Sequence, residues 1–344
     1  MIAQLFALFY ILLLVSSDTE CPIVTSEGQD RRTNKNLLRL VQYNVEWLFV
    51  DHYSGFDCPG SQCTWKNETE AKTHLGFVSN VVSILEPDII NFCEVEGCDE
   101  LNMVVNALNN TPDYNYYLKK GTDTGTGQNV GLITKIDPLI NLYRDETKIS
   151  YPISGSMCGY SGSGSTGVSK HYITEYMFEN YGAPVALISA HLIAIPTDPA
   201  RCSQREAQAQ ILQNIVLSYI QKGYEVILLG DMNDYDGEVL DINQDKPLSQ
   251  VLDILKGVKG DHRGSYTLTS VATKIPQIER FSDWWDSDDN CDTYSVRDYS
   301  MIDHILVSSG IYQHIVNAFI YHGYSEYCGK YNSDHYPVVV DFEF

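Results

Sequence analysis

Six apolar runs in this 344-residue chain carry an acid, an amide or a histidine at one end. They are YNVEW (43–47), NFCEVE (91–96), SAHL (189–192), GDMND (230–234), MIDHIL (301–306) and the closing SDHYPVVVDFEF (333–344). In the last of these, Val338, Val340, Phe342 and Phe344 alternate with Val339, Asp341 and Glu343, a half-buried strand pattern. A lone charge at the end of a buried strand is costly unless it is paired or bound to a metal. Six such ends in one chain therefore point to a place where strand ends meet loops, which is where ligands gather.

Helical patterns lie between the runs. Glu68 to Glu86 puts Leu75, Val78, Val82 and Leu85 on one face, and Pro87-Asp88 stops it. A short helix is expected at Leu101–Leu108 and a strand at Gly131-Leu132-Ile133. Residues 155–167 are Gly/Ser-rich and read as a mobile loop. Tyr172–Phe178 and Pro184–His191 read as a hairpin around Asn180-Tyr181-Gly182. A helix at Arg201–Gln221 turns Ile211, Leu212, Ile215 and Tyr219 inward and ends at Gly223. A strand at Glu225–Leu229, a helix at Leu248–Leu255 and strands at Ser300–Val307 and Ile311–Tyr321 complete the set. A hydrophobic fraction of 44% allows a sizeable core. Strands alternating with helices, with hairpins among them, suggest sheet packed on sheet with helices outside, in one domain from 37 to 344.

Residues 1–17 are apolar and uncharged, too short for a comfortable bilayer span, and end in Val15-Ser16-Ser17 before Asp18. They read as a cleaved signal peptide; an uncleaved anchor or a buried first strand are the alternatives. Residues 18–36 read as a polar N-terminal tail. Nine cysteines remain after the leader, a number that fits an oxidising compartment and leaves one thiol over. Cys58 and Cys63 are the expected local pair, and no C-x-x-C spacing suggests a zinc ribbon. Asn67-Glu68-Thr69 and Asn109-Asn110-Thr111 are glycosylation sequons. A secreted monomer without a membrane anchor is the expectation. The net charge of −22 argues against passive, charge-driven nucleic-acid binding, but not against an enzyme that turns over phosphodiesters.

Singly, each candidate has a plain reading: Asp334 as a strand cap, His191 as a core histidine, Glu94 as a paired carboxylate, Asp231-Met232-Asn233 as a turn. Together they say more. Asn44, Glu94, His191, Asp231, Asn233, Asp303 and Asp334-His335, in that order, resemble the endonuclease/exonuclease/phosphatase superfamily. Its members include pancreatic deoxyribonuclease, abasic-site endonucleases, sphingomyelinases and inositol polyphosphate 5-phosphatases. The likeness covers about residues 37–344.

That resemblance implies an α/β (α+β) fold: a four-layer α/β/β/α sandwich of two packed mixed sheets flanked by helices. It also implies phosphoester hydrolysis with a divalent metal, Mg²⁺ first and Mn²⁺ as its substitute. Glu94 is the implied metal ligand, helped by Asn44, with Glu46 and Asp334 on the metal side. Asp231 and Asn233 are implied to position or activate water, and His191 to meet the phosphate from the opposite wall. His335 is implied to work on the scissile phosphate, its ring held by Asp303. Mg²⁺ takes oxygen ligands and keeps several waters, so few carboxylates suffice. Nucleic acid is the expected substrate, with a phosphatase, a sphingomyelinase-type phospholipase or a non-catalytic binding protein as rivals. Arg201, Arg205 and Asn129 are further candidates for substrate contact. The acidic stretch 286–292 reads as a solvated loop or a structural Ca²⁺ loop, though without the EF-hand glycine and glutamate. Trp284-Trp285 beside it reads as packing, a base-stacking pair or a lipid contact.

Overall fold

The computed structural model describes residues 21–51, 65–108, 113–285, 296–324 and 332–344. The leader at 1–17, the Cys58–Cys63 pair, the sequon at 109–111 and the acidic loop at 286–292 lie outside them.

The chain opens with β1 (Leu37–Leu48), α1 (Glu68–Leu85), β2 (Ile89–Val95), α2 (Cys98–Ala107), β3 (Asn115–Leu118) and β4 (Asn129–Thr134). There follow β5 (Ile149–Tyr151), β6 (Gly164–Thr166), β7 (Lys170–Met177), β8 (Pro184–His191), α3 (Pro199–Gln221) and β9 (Glu225–Asp231). The last third holds α4 (Val251–Leu255), β10 (Leu268–Ser270), β11 (Asp283–Trp284), β12 (Tyr299–Ser300) and β13 (Asp303–Ser308). It closes with α5 (Ser309–Tyr312), β14 (Ile315–Ile320) and β15 (Val338–Glu343).

Two mixed sheets form the centre. One is ordered β14-β15-β1-β2-β4-β3 and the other β10-β13-β9-β8-β7. Side-chain alternation explains the layering. On β1, Leu38 and Leu40 face the space between the sheets, where they meet Leu187 of β8, Leu229 of β9 and Ile305 of β13. Val41, Tyr43 and Val45 point the other way, onto Val78 and Val82 of α1 and Leu101 and Val104 of α2. The second sheet likewise turns Ile188, Val226 and Leu228 onto Leu212 and Val216 of α3 and Leu252 of α4. The result is the expected four-layer α/β/β/α sandwich. Each fully buried Leu, Ile or Val contributes about 1.5–3 kcal/mol, so these three clusters hold the layers together.

The helices carry their own start signals. Asn67 caps α1, its side chain accepting from the Glu70 amide, and Glu68 and Glu70 sit in the positive first turn. Asp198 caps α3 in the same way, with Pro199 at its first position.

Three segments differ from their expected form. The Gly/Ser-rich stretch pairs β6 with β5, and a Cys158–Cys202 disulfide ties it to α3. The expected strand at Ile311–Tyr321 begins with the helical turn α5, because β13 belongs to one sheet and β14 to the other and the chain must cross between them. Residues 21–36 do not hang free: Cys21 is bonded to Cys98, and Arg31 holds Asp137 at 2.6 and 2.7 Å. Cys93 is a buried free thiol. Among the described residues, no helix is long and apolar enough to cross a membrane.

Candidate active site

The inward faces of five strands change character at the same end. On β1, Leu38 and Leu40 give way to Gln42 and Asn44; on β2, Ile89 gives way to Asn91. On β8, Val185 and Leu187 give way to Ser189 and His191; on β9, Ile227 and Leu229 give way to Asp231. On β13, antiparallel to β9, Asp303 precedes Ile305 and Val307. Register then sets them in a row. Asp303 pairs with Asp231, Asp231 with His191, and His191 with Lys170. Across four adjacent strands the second sheet presents acid, acid, imidazole and cation.

The facing sheet supplies the other wall. Asn44 Nδ2 donates to Glu94 Oε1 at 3.1 Å and, across the gap between the sheets, to Asp231 Oδ2 at 3.0 Å. The Trp47 amide donates to Glu94 Oε2 at 3.2 Å. Glu46 accepts from the Asp334 amide at 3.1 Å, which ties the closing segment to the end of β1. Glu46 (φ 49), Trp47 (φ 52), Glu94 (φ 67) and Asn233 (φ 49) all have left-handed backbones. Such conformations cost on the order of 1 kcal/mol or more each, and they cluster here, where strands must turn sharply to aim side chains. Gly230 shows why a glycine precedes Asp231: its φ is 146°, and a Cβ there would lie 1.8 Å from the Ala190 carbonyl.

His335 is held tightly. Its Nδ1 donates to Asp303 Oδ2 at 2.7 Å; a carboxylate only accepts, so the ring proton sits on Nδ1 and Nε2 faces the cleft. Asp303 also accepts from Gln42 at 3.0 Å and Ser282 at 2.9 Å, and Asn91 in turn donates to Gln42 at 2.5 Å. Asp283 Oδ1 and Asp334 Oδ1 lie 3.6 and 3.8 Å from His335 Nε2. Burial opposes charge on this imidazole, but Asp303, Asp334 and Asp283 outweigh it and hold its pKa well above the usual value. Burial, with Asp283 and Glu94 nearby, pushes Asp334 up to about 7. Burial and the adjacent Asp303 push Asp231 up to about 8.

His191 sits in the opposite field. Its Nε2 lies 3.4 Å from Asp231 Oδ2 and 3.4 Å from Lys170 Nζ, while its Nδ1 is buried without a partner. Burial, then Lys170 and His335, push its pKa well below the usual value. Glu94, Lys170, His191, Asp231, Asn233, Asp283, Asp334 and His335 line one cavity of about 1260 Å³, with Asn44 and Asp303 bonded directly behind them.

The structure brings together Asn44, Glu46, Glu94, His191, Asp231, Asn233, Asp303, Asp334 and His335. It places two other candidates differently. Asn129 is 3% exposed; its amide donates to the Glu96 and Gly127 carbonyls and accepts from the Gly121 amide. Arg205 is fully buried, donating to Asp234 and to the carbonyls of Ile193, Ile195 and Pro196. It fastens the loop after His191 to the loop after Asn233, whereas Arg201 lines the cavity. Sequence reasoning missed Lys170 and Asp283. Lys170 was accessible by counting: a hairpin centred between residues 180 and 181 sets 170 opposite 191. No local signal marked Asp283.

Among the described residues, no group of three His, Cys, Asp or Glu side chains forms a ready metal cage. The donor set does suit a hard cation that keeps most of its waters. Each Glu94 oxygen accepts a single hydrogen bond, leaving acceptor capacity toward the cavity, and Asp231 and Asp334 add carboxylate oxygens to the same lining.

No protein-family model and no curated protein matches this chain in sequence. Solved structures match it over most of its length. The 3′-5′ exonuclease NExo from Neisseria meningitidis superposes with a TM-score of 0.56 at 15% identity, over 89% of this chain and 100% of that one. NExo described as a 3′ phosphatase, from Neisseria and bound to a product DNA hairpin, gives 0.54 at 14%, with 89% and 100% covered. Truncated TDP2 from Caenorhabditis elegans gives 0.52 at 16%, with 90% and 98% covered. This chain has the endonuclease/exonuclease/phosphatase fold. In that fold the row Asp303–Asp231–His191 and the facing Asn44–Glu94 pair stand at one end of the sandwich, where both sheets deliver polar side chains.

Proposed function

We propose that the protein is an exported, divalent-metal-assisted phosphodiesterase whose substrate is nucleic acid. The observation that carries this reading is the row Asp303–Asp231–His191 on one sheet, with His335 on Asp303, facing Asn44 and Glu94 of the other sheet. A protonated imidazole, a row of carboxylates and a buried cation in one cavity suit a phosphodiester better than an acyl or glycosyl group. NExo bound to a DNA hairpin product is consistent with nucleic acid, and the Cys21–Cys98 and Cys158–Cys202 disulfides are consistent with export.

In this reading Glu94 and Asn44, with Glu46 and Asp334 beside them, hold Mg²⁺ or Mn²⁺. When bound, the metal offsets charge on the phosphate and makes bound water more acidic. The chain's own groups do the rest. Asp231, fixed by the Asn233 amide at 2.8 Å and by Asn44, positions the attacking water. Its pKa near neutrality suits a group that accepts a proton and gives it back. His335 keeps its Nε2 proton under the pull of three carboxylates and delivers it to the leaving oxygen. Neutral His191 and cationic Lys170 meet the non-bridging oxygens.

The test is hydrolysis of double-stranded DNA, RNA, sphingomyelin and an inositol phosphate, each with Mg²⁺ and with EDTA. Metal-dependent cleavage of a nucleic acid is expected, and Glu94→Gln should abolish it while the thermal unfolding midpoint holds. Cleavage of only sphingomyelin or the inositol phosphate would reassign the substrate. Full activity in EDTA or in Glu94→Gln would sink the mechanism.

A further inference from the structure

The cavity extends past both ends of the catalytic row. Lys170 closes the row on β7, about three strand spacings, roughly 14 Å, from Asp303. Beyond it the lining continues onto Lys148 and onto Arg201 in the first turn of α3. These two segments are joined: a Cβ on Gly167 would lie 3.3 Å from Lys148 Cγ, and the Gly167 carbonyl accepts from Gln208 of α3 at 3.1 Å.

Two of the lining cations are already engaged. Arg144 pairs with Glu146 at 3.1 Å, and Lys170 stands 3.7 Å from Asp123. Lys148, Arg201 and Arg297 have no ion pair among the described residues. Two of these, Lys148 and Arg201, lie together beyond Lys170, in a cavity whose carboxylates include Glu94, Asp231, Asp283 and Asp334 of the site itself. Arg297 lies at the other end, near Trp285, whose amide donates to the Asp298 carbonyl at 2.8 Å.

Trp284 and Trp285 part company there. Trp284 is 6% exposed and packs in the core between the sheets. Trp285 is 67% exposed, on the cavity rim beside Asp283, which touches His335. Its backbone is anchored next to the β11–β12 pair while its ring is left to solvent.

We propose that this cavity is a single-strand track: a base stacks on Trp285 with Arg297 beside it, and a phosphate on the far side of the scissile bond lies on Lys148 and Arg201. Cations placed along the backbone path together with an aromatic platform are the general design for binding unpaired nucleic acid, since a stacked base must be free of its own partner. A lipid headgroup or an inositol phosphate has no second diester to reach Lys148 and Arg201. The proposal rests on the phosphodiesterase reading and deepens it by fixing the substrate as a single strand several nucleotides long.

The test separates binding from cleavage. Fluorescence anisotropy of a labelled single-stranded octanucleotide in EDTA reads the track alone. Trp285→Ala should weaken binding about tenfold, and Trp285→Tyr should restore most of it. The double variant Lys148→Gln/Arg201→Gln should flatten the slope of log affinity against log salt by about 1.4, two phosphates' worth on a single strand. With Mg²⁺, KM for the octanucleotide should rise in both variants, while hydrolysis of bis(p-nitrophenyl) phosphate, which spans one phosphate, stays unchanged. Unaltered affinity and salt slope, or tighter binding of duplex than of single strand, overturns the track. Intact variant-sensitive binding with no hydrolysis of any substrate overturns the catalytic reading and leaves the track standing.

Discussion

The cavity holds two histidines, His191 at the end of β8 in one sheet and His335 in the segment leading into β15 of the other, and their surroundings are opposite. His335 stands among Asp303, Asp334 and Asp283 and keeps its proton. His191 stands between Lys170 and the core and gives its proton up. Burial depresses both; the sign of the neighbours decides which imidazole is charged. Pairs of titratable groups pushed apart in this way suit a division of labour, and in the proposed mechanism one end donates a proton while the other offers a neutral, polar face to a phosphate beside a cation.

The largest expected effect breaks the charged end. Asp303→Asn keeps the shape of the side chain, but an amide cannot favour the imidazolium or fix the Nδ1 proton as a carboxylate does. We expect kcat to fall by about 10²–10⁴, the usual worth of a placed acid or base, with KM nearly unchanged. A kcat within a few-fold of the unaltered enzyme would mean that the His335–Asp303 pair is structural.

Lys170→Met tests the other end and should cost less. Removing a cation that faces a phosphate should lower kcat/KM by about tenfold to a hundredfold. The same variant should move the His191 pKa upward, since Lys170 is its second cause of depression after burial. An NMR titration of the His191 ring reads this directly. An unmoved titration would show that burial alone sets the neutral state and that the two ends differ less than their neighbours suggest.

The acidic end was far more legible in the sequence than the cationic end. Asn44, Glu94, Asp231, Asp303 and His335 each interrupt or terminate an apolar strand, and a buried acid in such a place has few plain explanations. Lys170 begins its strand, where a lysine reads as solvent-facing. Only the partner strand, through the pairing with His191, turns it into the site. Arg205 shows the converse error: an arginine at the start of a helix suggested a phosphate contact, and its fork is spent on loop carbonyls. Sheet packed on sheet with helices outside followed from period-two strands and period-3.6 helices, and the four-layer sandwich from the family resemblance. The short strands β3, β5 and β6 did not, because three or four residues are too few to show a period. Asp283 could not be found at all, since its role comes from a bridge to His335 that spans 52 residues of chain.

The smallest effect concerns how the cationic wall is held. His171 is fully buried; its Nδ1 donates to the Val168 carbonyl at 2.6 Å and its Nε2 accepts from the Asp145 amide at 2.9 Å. It thereby joins the segment bearing Arg144 and Lys148 to the one leading into Lys170. Burial, then Arg144, push its pKa down to about 4. An unfolded histidine titrates near 6.5, so between about pH 6.5 and pH 4 the unfolded chain holds a proton that the folded chain does not. Stability should therefore fall as pH falls through that window, by up to a few kcal/mol from this residue. Urea midpoints at pH 7 and pH 5 read it: the unaltered protein should lose more between the two than His171→Gln, which has no proton to take up. Equal losses in both would remove His171 as the acid-sensitive fastening of that wall, and would leave the two ends of the cavity alike in how they are secured.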